Sequence, residues 1–259
     1  MKTCKILVIA LLLGVMNTAY AQNKHFPTQG TIEFEKRVNM YALIKEMMKK
    51  YPSQTWYAQI FEQYQKNNPQ FRTLKSTLNF GKEQTLFTPI EAPLQQNNFF
   101  GDRPGVEQNN TIYTNTTAMT STSQKKVFEE LYLVKDSTRK INWKITDEVR
   151  NIAGYDCRRA NAVIMDSIYV VAFYTDLIPV SGGPESFSGL PGMILGVALP
   201  YEHITWFATK VTETPITEEK LKAPTKGKAV TNSGLFGILK SATKDWGENA
   251  NDTLKGFML

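Results

Sequence analysis

Cysteine and histidine are the residues of this chain with the clearest potential for nucleophilic chemistry. The sequence contains two cysteines and two histidines. Cys157 lies in a strand-like segment, and His203 follows Pro200 at the expected start of a later strand. A thiol becomes an effective nucleophile when a nearby base and an orienting group activate it. One hypothesis is therefore a Cys157–His203 pair on neighbouring strands, and the other is a buried thiol with an unrelated surface histidine.

Other groupings of reactive side chains are weaker. Asp156, Asp176 and Glu185 are the carboxylates that could orient the histidine. Neither a C-x-x-C nor an H-x-x-x-H spacing is present in the sequence to hold a metal ion. The adjacent pair Glu129-Glu130 would point to opposite faces of a strand. The sequence therefore predicts neither a metal site nor a cofactor.

The most distinctive segment is a loop at residues 176–195, which is rich in glycine and proline. Pro191 and Gly192 suit the two central positions of a type II turn. Leu190 and the residues after Gly192 give this turn an apolar edge. The glycines lack the G-x-x-x-x-G-K spacing of a phosphate-binding loop. A shaped apolar loop of this kind favours recognition over phosphate chemistry.

This loop resembles the signature of a known family. Residues 189–194 (GLPGMI) are similar to the motif of the GLPGLI family, exported proteins found mainly in Bacteroidota. Residues 152–160 (IAGYDCRRA) resemble the I-x-G-Y-x-C-x-K-A segment of that family, and residues 173–184 resemble its W-Y-T…I-P…G-P run. The resemblance covers about residues 140–212, and residues 22–135 fit it only loosely.

The chain departs from the family pattern at three positions. Met193 stands where leucine is usual, Phe173 replaces tryptophan, and Gly196 stands where an acidic residue often follows the signature. Because Gly196 has no acidic side chain, it weakens any metal-binding or acid–base role for the segment that follows the signature. The resemblance implies an envelope accessory role beside outer-membrane receptors and transporters, and it implies no activity. The candidate binding residues are Tyr174, Pro184, Gly189, Leu190, Pro191, Gly192, Met193 and Ile194.

Residues 1–21 have the pattern of a cleavable signal peptide. A basic start precedes an apolar run at residues 6–15, and Ala19 and Ala21 occupy the −3 and −1 positions of a cut before Gln22. A membrane-spanning helix needs about 20 apolar residues, so the run is too short to be an anchor. We expect a location in the periplasm or cell envelope, or outside the cell.

Removal of this signal would change the charge and the cysteine content. The loss of Lys2 and Lys5 lowers the net charge from +6 to +4. The remaining basic residues are dispersed, whereas nucleic-acid binding needs a clustered basic face, so no nucleic-acid partner is expected. Cys157 would be the one cysteine left, which excludes an intramolecular disulfide. Cys4 precedes the apolar run and is not placed for lipid attachment.

Hydrophobic periodicity predicts mostly strands. Apolar residues alternate with polar ones through most of the chain, as in half-buried strands. After Tyr41 the spacing changes to three and four, which predicts two helices at about 42–50 and 54–66. Most connections are short, which favours antiparallel pairing. We expect an α+β fold that is mainly antiparallel β: a curved multi-stranded sheet or open barrel with one or two helices near the N-terminal third. The predicted strands are 31–40, 71–80, 84–88, 111–117, 120–128, 130–134, 141–145, 149–153, 157–165, 168–174, 193–199 and 204–211.

The expected organisation is one β-rich domain at 22–214, with its helical segment at about 42–66. Residues 89–110 are predicted to form a long loop or lid. Residues 215–259 are expected to be a loosely packed tail with one helix around 235–245. No later segment is apolar and long enough to span a membrane.

These features predict an exported, non-enzymatic envelope protein that binds a partner protein or an apolar ligand. The partner could be an outer-membrane receptor or another envelope protein, and loops 89–110 and 176–195 could close over one face of the sheet. An envelope enzyme that uses Cys157 and His203 is one alternative. A purely structural envelope component is the other.

Overall fold

The computed structural model describes residues 26–53, 55–91, 103–107, 110–247 and 249–259. The predicted signal peptide at 1–21 lies outside the described residues, and so does much of the predicted lid. The strands, in chain order, are β1 (Gly30–Asn39), β2 (Phe71–Phe80), β3 (Gln84–Pro89), β4 (Thr111–Asn115), β5 (Thr120–Val127), β6 (Glu130–Ser137), β7 (Lys144–Ile152), β8 (Tyr155–Ile164), β9 (Ile168–Thr175), β10 (Met193–Leu199), β11 (Ile204–Thr212) and β12 (Lys228–Val230).

Four α-helices accompany these strands in the described part of the chain: α1 (Met40–Lys50), α2 (Trp56–Asn67), α3 (Asn232–Ala242) and α4 (Asn249–Met258). Two short 3-10 turns lie at Pro200–Glu202 and Glu218–Leu221. None of the helices described is long and apolar enough to cross a membrane.

The twelve strands form one sheet in the order β12-β6-β5-β4-β3-β2-β1-β11-β10-β9-β8-β7. Its neighbouring strands are antiparallel except β12 and β6, which run parallel. The sheet is curved and does not close on itself, which confirms the predicted α+β fold with mainly antiparallel strands.

The alternation of residue types in β1 determines which face of that strand is buried. Ile32, Phe34 and Val38 are almost fully buried, and they point to the inner face of the sheet. The helices α1 and α2 pack against the same core, to which they add Ile44 and Phe61. We refer to this covered side of the sheet as the inner face.

The transition from β1 to α1 has a local cause. The Asn39 side chain accepts a hydrogen bond from the Ala42 backbone amide at 3.1 Å, which satisfies one of the free amides at the start of the helix. The change from a period of two to a period of 3.6 in the sequence occurs at this point. Both predicted N-terminal helices are therefore present, and the first begins two residues earlier than expected.

One long strand replaces two predicted ones. The strand β7 joins the last two residues of the segment expected at 141–145 to most of the segment expected at 149–153, and residues 141–143 are not part of a strand. The register of β7 with β8 shifts between Ile145 and Val149. An irregularity of this type places extra residues in one strand without ending it. The polar residues 146–148 therefore belong to the strand.

Residues 215–259, the predicted loose tail, contribute β12, α3 and α4. Leu235 and Leu239 of α3 are fully buried against Val127 and Val134 and form a second, smaller core. The helix predicted around 235–245 corresponds to α3. The strand β12 and the helix α4 were not predicted, because three residues carry no readable period and α4 is largely polar in sequence.

The loop between β9 and β10 lies across the inner face. A Cβ atom built on Gly182 would lie 2.8 Å from the Thr85 side chain of β3, so the loop passes directly over that strand. The Phe187 ring lies 6.0 Å from the Trp206 ring of β11. This loop therefore forms part of the core and reaches strands that are distant from its own ends.

Candidate functional site

Two lysines lie on the buried side of the sheet, where apolar residues are the rule. Lys36 of β1 is 2 % exposed, and Lys125 of β5 is 6 % exposed. Lysine is almost never fully buried unless a partner compensates its charge. Together with Glu185 and Arg139 they form what we call the buried charge cluster.

Lys36 occupies the inward register position between Phe34 and Val38. Its Nζ lies 5.0 Å from the Trp206 ring centroid and donates a long hydrogen bond of 3.5 Å to the Glu107 backbone oxygen. Burial lowers the pKa of Lys36 to about 8, an effect that outweighs the opposing attraction of Glu185. The ammonium is therefore poorly solvated yet still mostly protonated at pH 7.

Lys125 reaches the same region from β5, which lies four strands away from β1 in the sheet. Its Nζ donates a hydrogen bond of 3.1 Å to the Phe257 backbone oxygen. Burial again lowers the pKa to about 8, with Glu185 acting in the opposite direction and Arg139 adding repulsion. Both lysines thus face one carboxylate.

Glu185 is that carboxylate, and the loop across the inner face carries it. The residue is 6 % exposed and accepts a hydrogen bond from Asn110 Nδ2 at 3.2 Å. Burial raises the pKa of Glu185, and the charges of Lys36 and Lys125 oppose that rise. Within the described chain Glu185 makes no direct ion pair with either lysine, so it balances their charge only from a distance.

The end of α4 covers the cluster with backbone oxygens. Lys125 and Arg139 donate hydrogen bonds to the backbone oxygens of Phe257 and Met258, and Ser186 Oγ donates to the Leu259 oxygen at 3.0 Å. The carbonyl end of a helix carries partial negative charge and attracts cations. The cations are therefore held by neutral acceptors at a helix terminus.

A cavity of about 1310 Å³ lies beside this cluster. We call it the end cavity, because it occupies the end of the sheet where β11 begins. Its walls come from α1, α4, residues 103–107 and the 3-10 turn Pro200–Glu202. Its apolar lining consists of Leu43, Met47, Tyr57, Val106, Phe128, Ile204, Trp246, Phe257 and Leu259.

Aromatic side chains surround the mouth of the end cavity. Tyr201 is 76 % exposed, and Trp246 and Phe128 are 45 % and 44 % exposed. The Phe128 ring lies 5.8 Å from the Trp246 ring and 5.1 Å from the Phe257 ring. Exposed apolar groups that cluster at an opening are typical of a binding site.

A surface ion pair connects the two helices that border the mouth. Lys50 Nζ of α1 lies 2.8 Å from Asp252 Oδ2 of α4, and both side chains are partly exposed. Such a pair contributes little to stability, about 0–1 kcal/mol. It is therefore a contact that can open at small cost when the two helices separate.

The predicted binding residues are mostly part of the core. Leu190, Met193 and Ile194 are 0–2 % exposed, and Tyr174 is equally buried. None of the eight predicted residues lines the end cavity among the residues described. Gly189 and Pro191 are exposed, so a role of this turn in contacting a protein partner stays a prediction.

The turn itself differs from the predicted type II geometry. The Gly192 amide donates to the Leu190 oxygen at 2.8 Å, a three-residue turn, and the Met193 amide donates instead to the Ile178 oxygen at 3.1 Å. The Met193 amide is used to attach the start of β10 to the loop, so it cannot close the four-residue turn. Gly192 has a φ of +147°, and a Cβ atom there would lie 2.1 Å from the Thr175 oxygen.

The two weak catalytic candidates lie far apart. Cys157 is level with Met193, and His203 is level with Leu199 at the other end of β10. Six residues of strand separate these levels, or roughly 20 Å. Burial, aided by the charge of Asp156, raises the pKa of the Cys157 thiol to about 12. His203 lies on the wall of the end cavity and cannot serve as the base of this thiol.

Metal binding has no structural support in the part of the chain that is described. No group of three or more His, Cys, Asp or Glu side chains there is arranged to hold an ion. The carboxylates of the end cavity, such as Glu46 and Asp252, lie in contact with lysines instead.

The sequence interpretation did not single out Lys36 and Lys125 as candidate functional residues. The available signal was the strand period: Lys36 interrupts the inward series Ile32, Phe34, Val38, and Lys125 precedes Val127 by two positions. A charged residue at an inward position is a candidate site because burial without compensation is costly. The sequence pattern could not show that β1, β5 and the glycine-rich loop lie close together in the fold.

One family model overlaps part of the region that carries the sequence resemblance, and it does not by itself show the GLPGLI family. A family model described as "Protein of unknown function (Porph_ging)" matches residues 162–196, a short part of the chain. The match begins in β8 and ends in β10, so it includes the loop with Glu185 and Gly192. No curated protein matches the sequence.

Solved structures are similar to this chain at low sequence identity, and one of them reaches a TM-score that indicates a shared fold. PNGF-II in one crystal form is similar with a TM-score of 0.50 and 12 % identity, over 87 % of this chain and 32 % of that one. Its second crystal form gives a TM-score of 0.48 at 16 % identity, over 85 % of this chain and 33 % of that one. An uncharacterized conserved protein from Thermus thermophilus gives 0.40 at 7 % identity, over 84 % of this chain and 99 % of that one. The chain thus spans about a third of the length of PNGF-II, and the likeness concerns the fold alone.

Proposed function

We propose that this chain is an exported, non-enzymatic envelope protein of the GLPGLI type that binds an apolar ligand in the end cavity. The observation that carries the proposal is a cavity of about 1310 Å³ with exposed aromatic rings at its mouth and a lining that combines apolar side chains with charged ones such as Lys49, Arg103 and Lys126. Ligand pockets typically measure about 300–1,000 Å³ and are lined mainly by apolar side chains. The end cavity therefore has room for a ligand with a long apolar part.

The export part of the proposal rests on different support. The signal-peptide pattern of residues 1–21 and the resemblance of residues 189–194 to the GLPGLI signature both favour the envelope. Apolar molecules need a carrier or a receptor in an aqueous compartment, because exposure of apolar surface to water is unfavourable by about 25 cal/mol per Å². A location in the envelope and the binding of an apolar ligand are therefore consistent with each other.

Binding can be tested with the uncharged fluorophore N-phenyl-1-naphthylamine, whose emission rises in apolar surroundings. We expect saturable binding by the chain that starts at Gln22. Leu43 is partly buried and lines the cavity, so Leu43→Trp fills part of the space and should weaken binding at least tenfold. Fluorescence titration measures the dissociation constant.

Ile145→Trp is the matched control, since Ile145 is 44 % exposed on β7 and does not line the cavity. Its affinity for the fluorophore should equal that of the wild type. An equal loss of affinity for the fluorophore in Leu43→Trp and Ile145→Trp would refute the proposed function, and so would the absence of saturable binding by the wild type.

A further inference from the structure

The buried charge cluster carries more positive than negative charge. Two fully buried cations, Lys36 and Lys125, face one fully buried carboxylate, Glu185. Among the half-buried groups described around them, Arg72 and Arg139 outnumber Glu107. Burial of an unpaired charge is costly, and proteins normally compensate it with a partner. The excess of buried cations therefore favours an anion as the group that this cluster binds.

The cluster also has hydrogen-bond donors without acceptors. Ser76 Oγ, Trp206 Nε1 and one Arg139 nitrogen are buried and have no partner among the residues described. Ser76 is 0 % and Trp206 2 % exposed. On the inner face Trp206 lies opposite Lys36, and Ser76 lies opposite Phe34, two positions before Lys36 in β1. Buried polar groups are nearly always hydrogen-bonded, so unpaired donors at one place point to an acceptor that occupies the site.

The cluster lies directly behind the wall of the end cavity. Lys36 Nζ contacts the backbone oxygen of Glu107, and Lys125 Nζ contacts that of Phe257. Both Glu107 and Phe257 line the cavity. Residues 103–107 pack directly against the end of α4, since a Cβ atom built on Gly256 would lie 2.8 Å from the Gly105 amide nitrogen. A group from the cavity would therefore meet both ammonium groups where these two segments separate.

We infer that the ligand of the end cavity is an amphiphile with one anionic head group, which binds the buried charge cluster while its chain fills the cavity. This inference rests on the proposed function and specifies its ligand class. The head group replaces the neutral oxygens of Phe257 and Met258 as acceptor for Lys125 and Arg139. Hydrogen bonds between two charged groups are about twice as strong as neutral ones, which favours this exchange.

The test compares dodecanoate and dodecyl phosphate with the uncharged dodecanol, each as a competitor of N-phenyl-1-naphthylamine. The wild type should bind at least one of the two anions about tenfold more tightly than dodecanol. The double variant Lys36→Met/Lys125→Met should lose this preference and keep its affinity for dodecanol. Methionine keeps most of the length and the apolar contacts of the lysine side chain, but Glu185 loses its two compensating charges in this variant. Circular dichroism must therefore show that the variant is folded before its affinities are compared.

Lys135→Met is the matched control, because Lys135 is exposed on β6, next to β5. It should leave the preference unchanged. Equal affinities of the wild type for all three amphiphiles, or a preference that survives in the double variant, would overturn the inference while the apolar cavity stands. Failure of dodecanol and the fluorophore to bind would instead remove the proposed function itself.

A second measurement on the wild type does not depend on how the variants fold. The anion preference should fall at least several-fold between pH 7 and pH 10.5, since both lysines lose their protons over this range. The charged groups that face them are Glu185, Glu107, Arg72 and Arg139, and the carboxylate of dodecanoate stays ionised throughout. A preference for dodecanoate that does not change with pH would contradict the inference.

Discussion

At the scale of single residues, burial changes the pKa values of the ionisable groups that could take part in chemistry. Burial disfavours the charged form of any such group, so it raises the pKa of Cys157 and lowers those of Lys36 and Lys125. The thiol is thereby made inert. The lysines remain mostly protonated at pH 7 and keep the capacity to attract an anion.

The reactivity of Cys157 follows directly from this difference. The thiol is 0 % exposed with a pKa raised to about 12, so iodoacetamide at pH 8 should modify it at least a hundredfold more slowly in the native chain than in the chain unfolded in urea. Mass spectrometry of the protein starting at Gln22 measures the rate. Rapid labelling of the native form would revive the nucleophile hypothesis.

At the scale of elements, the glycine-rich loop is the part whose geometry tolerates least change. Its Gly192 has a φ of +147° and lies against the Thr175 backbone, where a Cβ atom would be 2.1 Å from an oxygen. The same segment carries Glu185 toward the lysines. A change of the turn would therefore disturb both the core and the charge cluster.

We expect Gly192→Ala to lower the free energy of unfolding by more than about 2 kcal/mol, because strain and backbone overlap act together. Thermal unfolding followed by circular dichroism measures the change. Gly237→Ala is the control: Gly237 lies within α3, and nothing is within 4 Å of its added Cβ. The free energy of unfolding of that variant should increase by up to about 1 kcal/mol because of helix propensity. If both variants lost the same amount of stability, the structural role of Gly192 would be contradicted.

Strand prediction succeeded because most elements have a clear two-residue period. Eleven of the twelve strands were anticipated in position, although β7 was divided into two. The helices α1 and α2 were visible from the change in period after Tyr41. The register of β7, the parallel strand β12 and the helix α4 were not predictable, since they depend on neighbours that are distant in the chain.

At the scale of the whole molecule, the buried lysines couple stability to pH. Their pKa values are lowered from 10.5 to about 8, so the unfolded chain binds more protons than the native chain between these two values. Stability therefore rises as the pH increases through this window. Glu185, with its raised pKa, acts in the opposite direction in the acid range, where stability is lost as the pH rises above its ordinary value.

The free energy of unfolding should accordingly increase between pH 8 and pH 10.5, by an amount on the order of 2 kcal/mol for each lysine. Lys36→Met and Lys125→Met should each flatten this rise relative to the wild type. Urea denaturation at a series of pH values provides the measurement. If the exposed-site variant Lys135→Met flattened the curve equally, the effect would not come from burial.

The sequence by itself determined where most of the secondary-structure elements of this protein lie along the chain. Strand period, the change to helical spacing and the glycine-rich signature are all properties of neighbouring residues, so strands, helices and the distinctive loop could be located before any tertiary contact was known. The small number of cysteines and histidines is likewise a property of the sequence, and their spacing predicted no metal site and no cofactor.

Only the tertiary structure decided where a ligand could bind. The signature residues proved to be packed in the core, whereas the end cavity is formed by α1, α4 and residues 103–107, which are far apart in sequence. Lys36, Lys125 and Glu185 likewise come from β1, β5 and the loop before β10. Periodicity reports which face a residue occupies, but the partners that share that face are set by the pairing and curvature of the whole sheet.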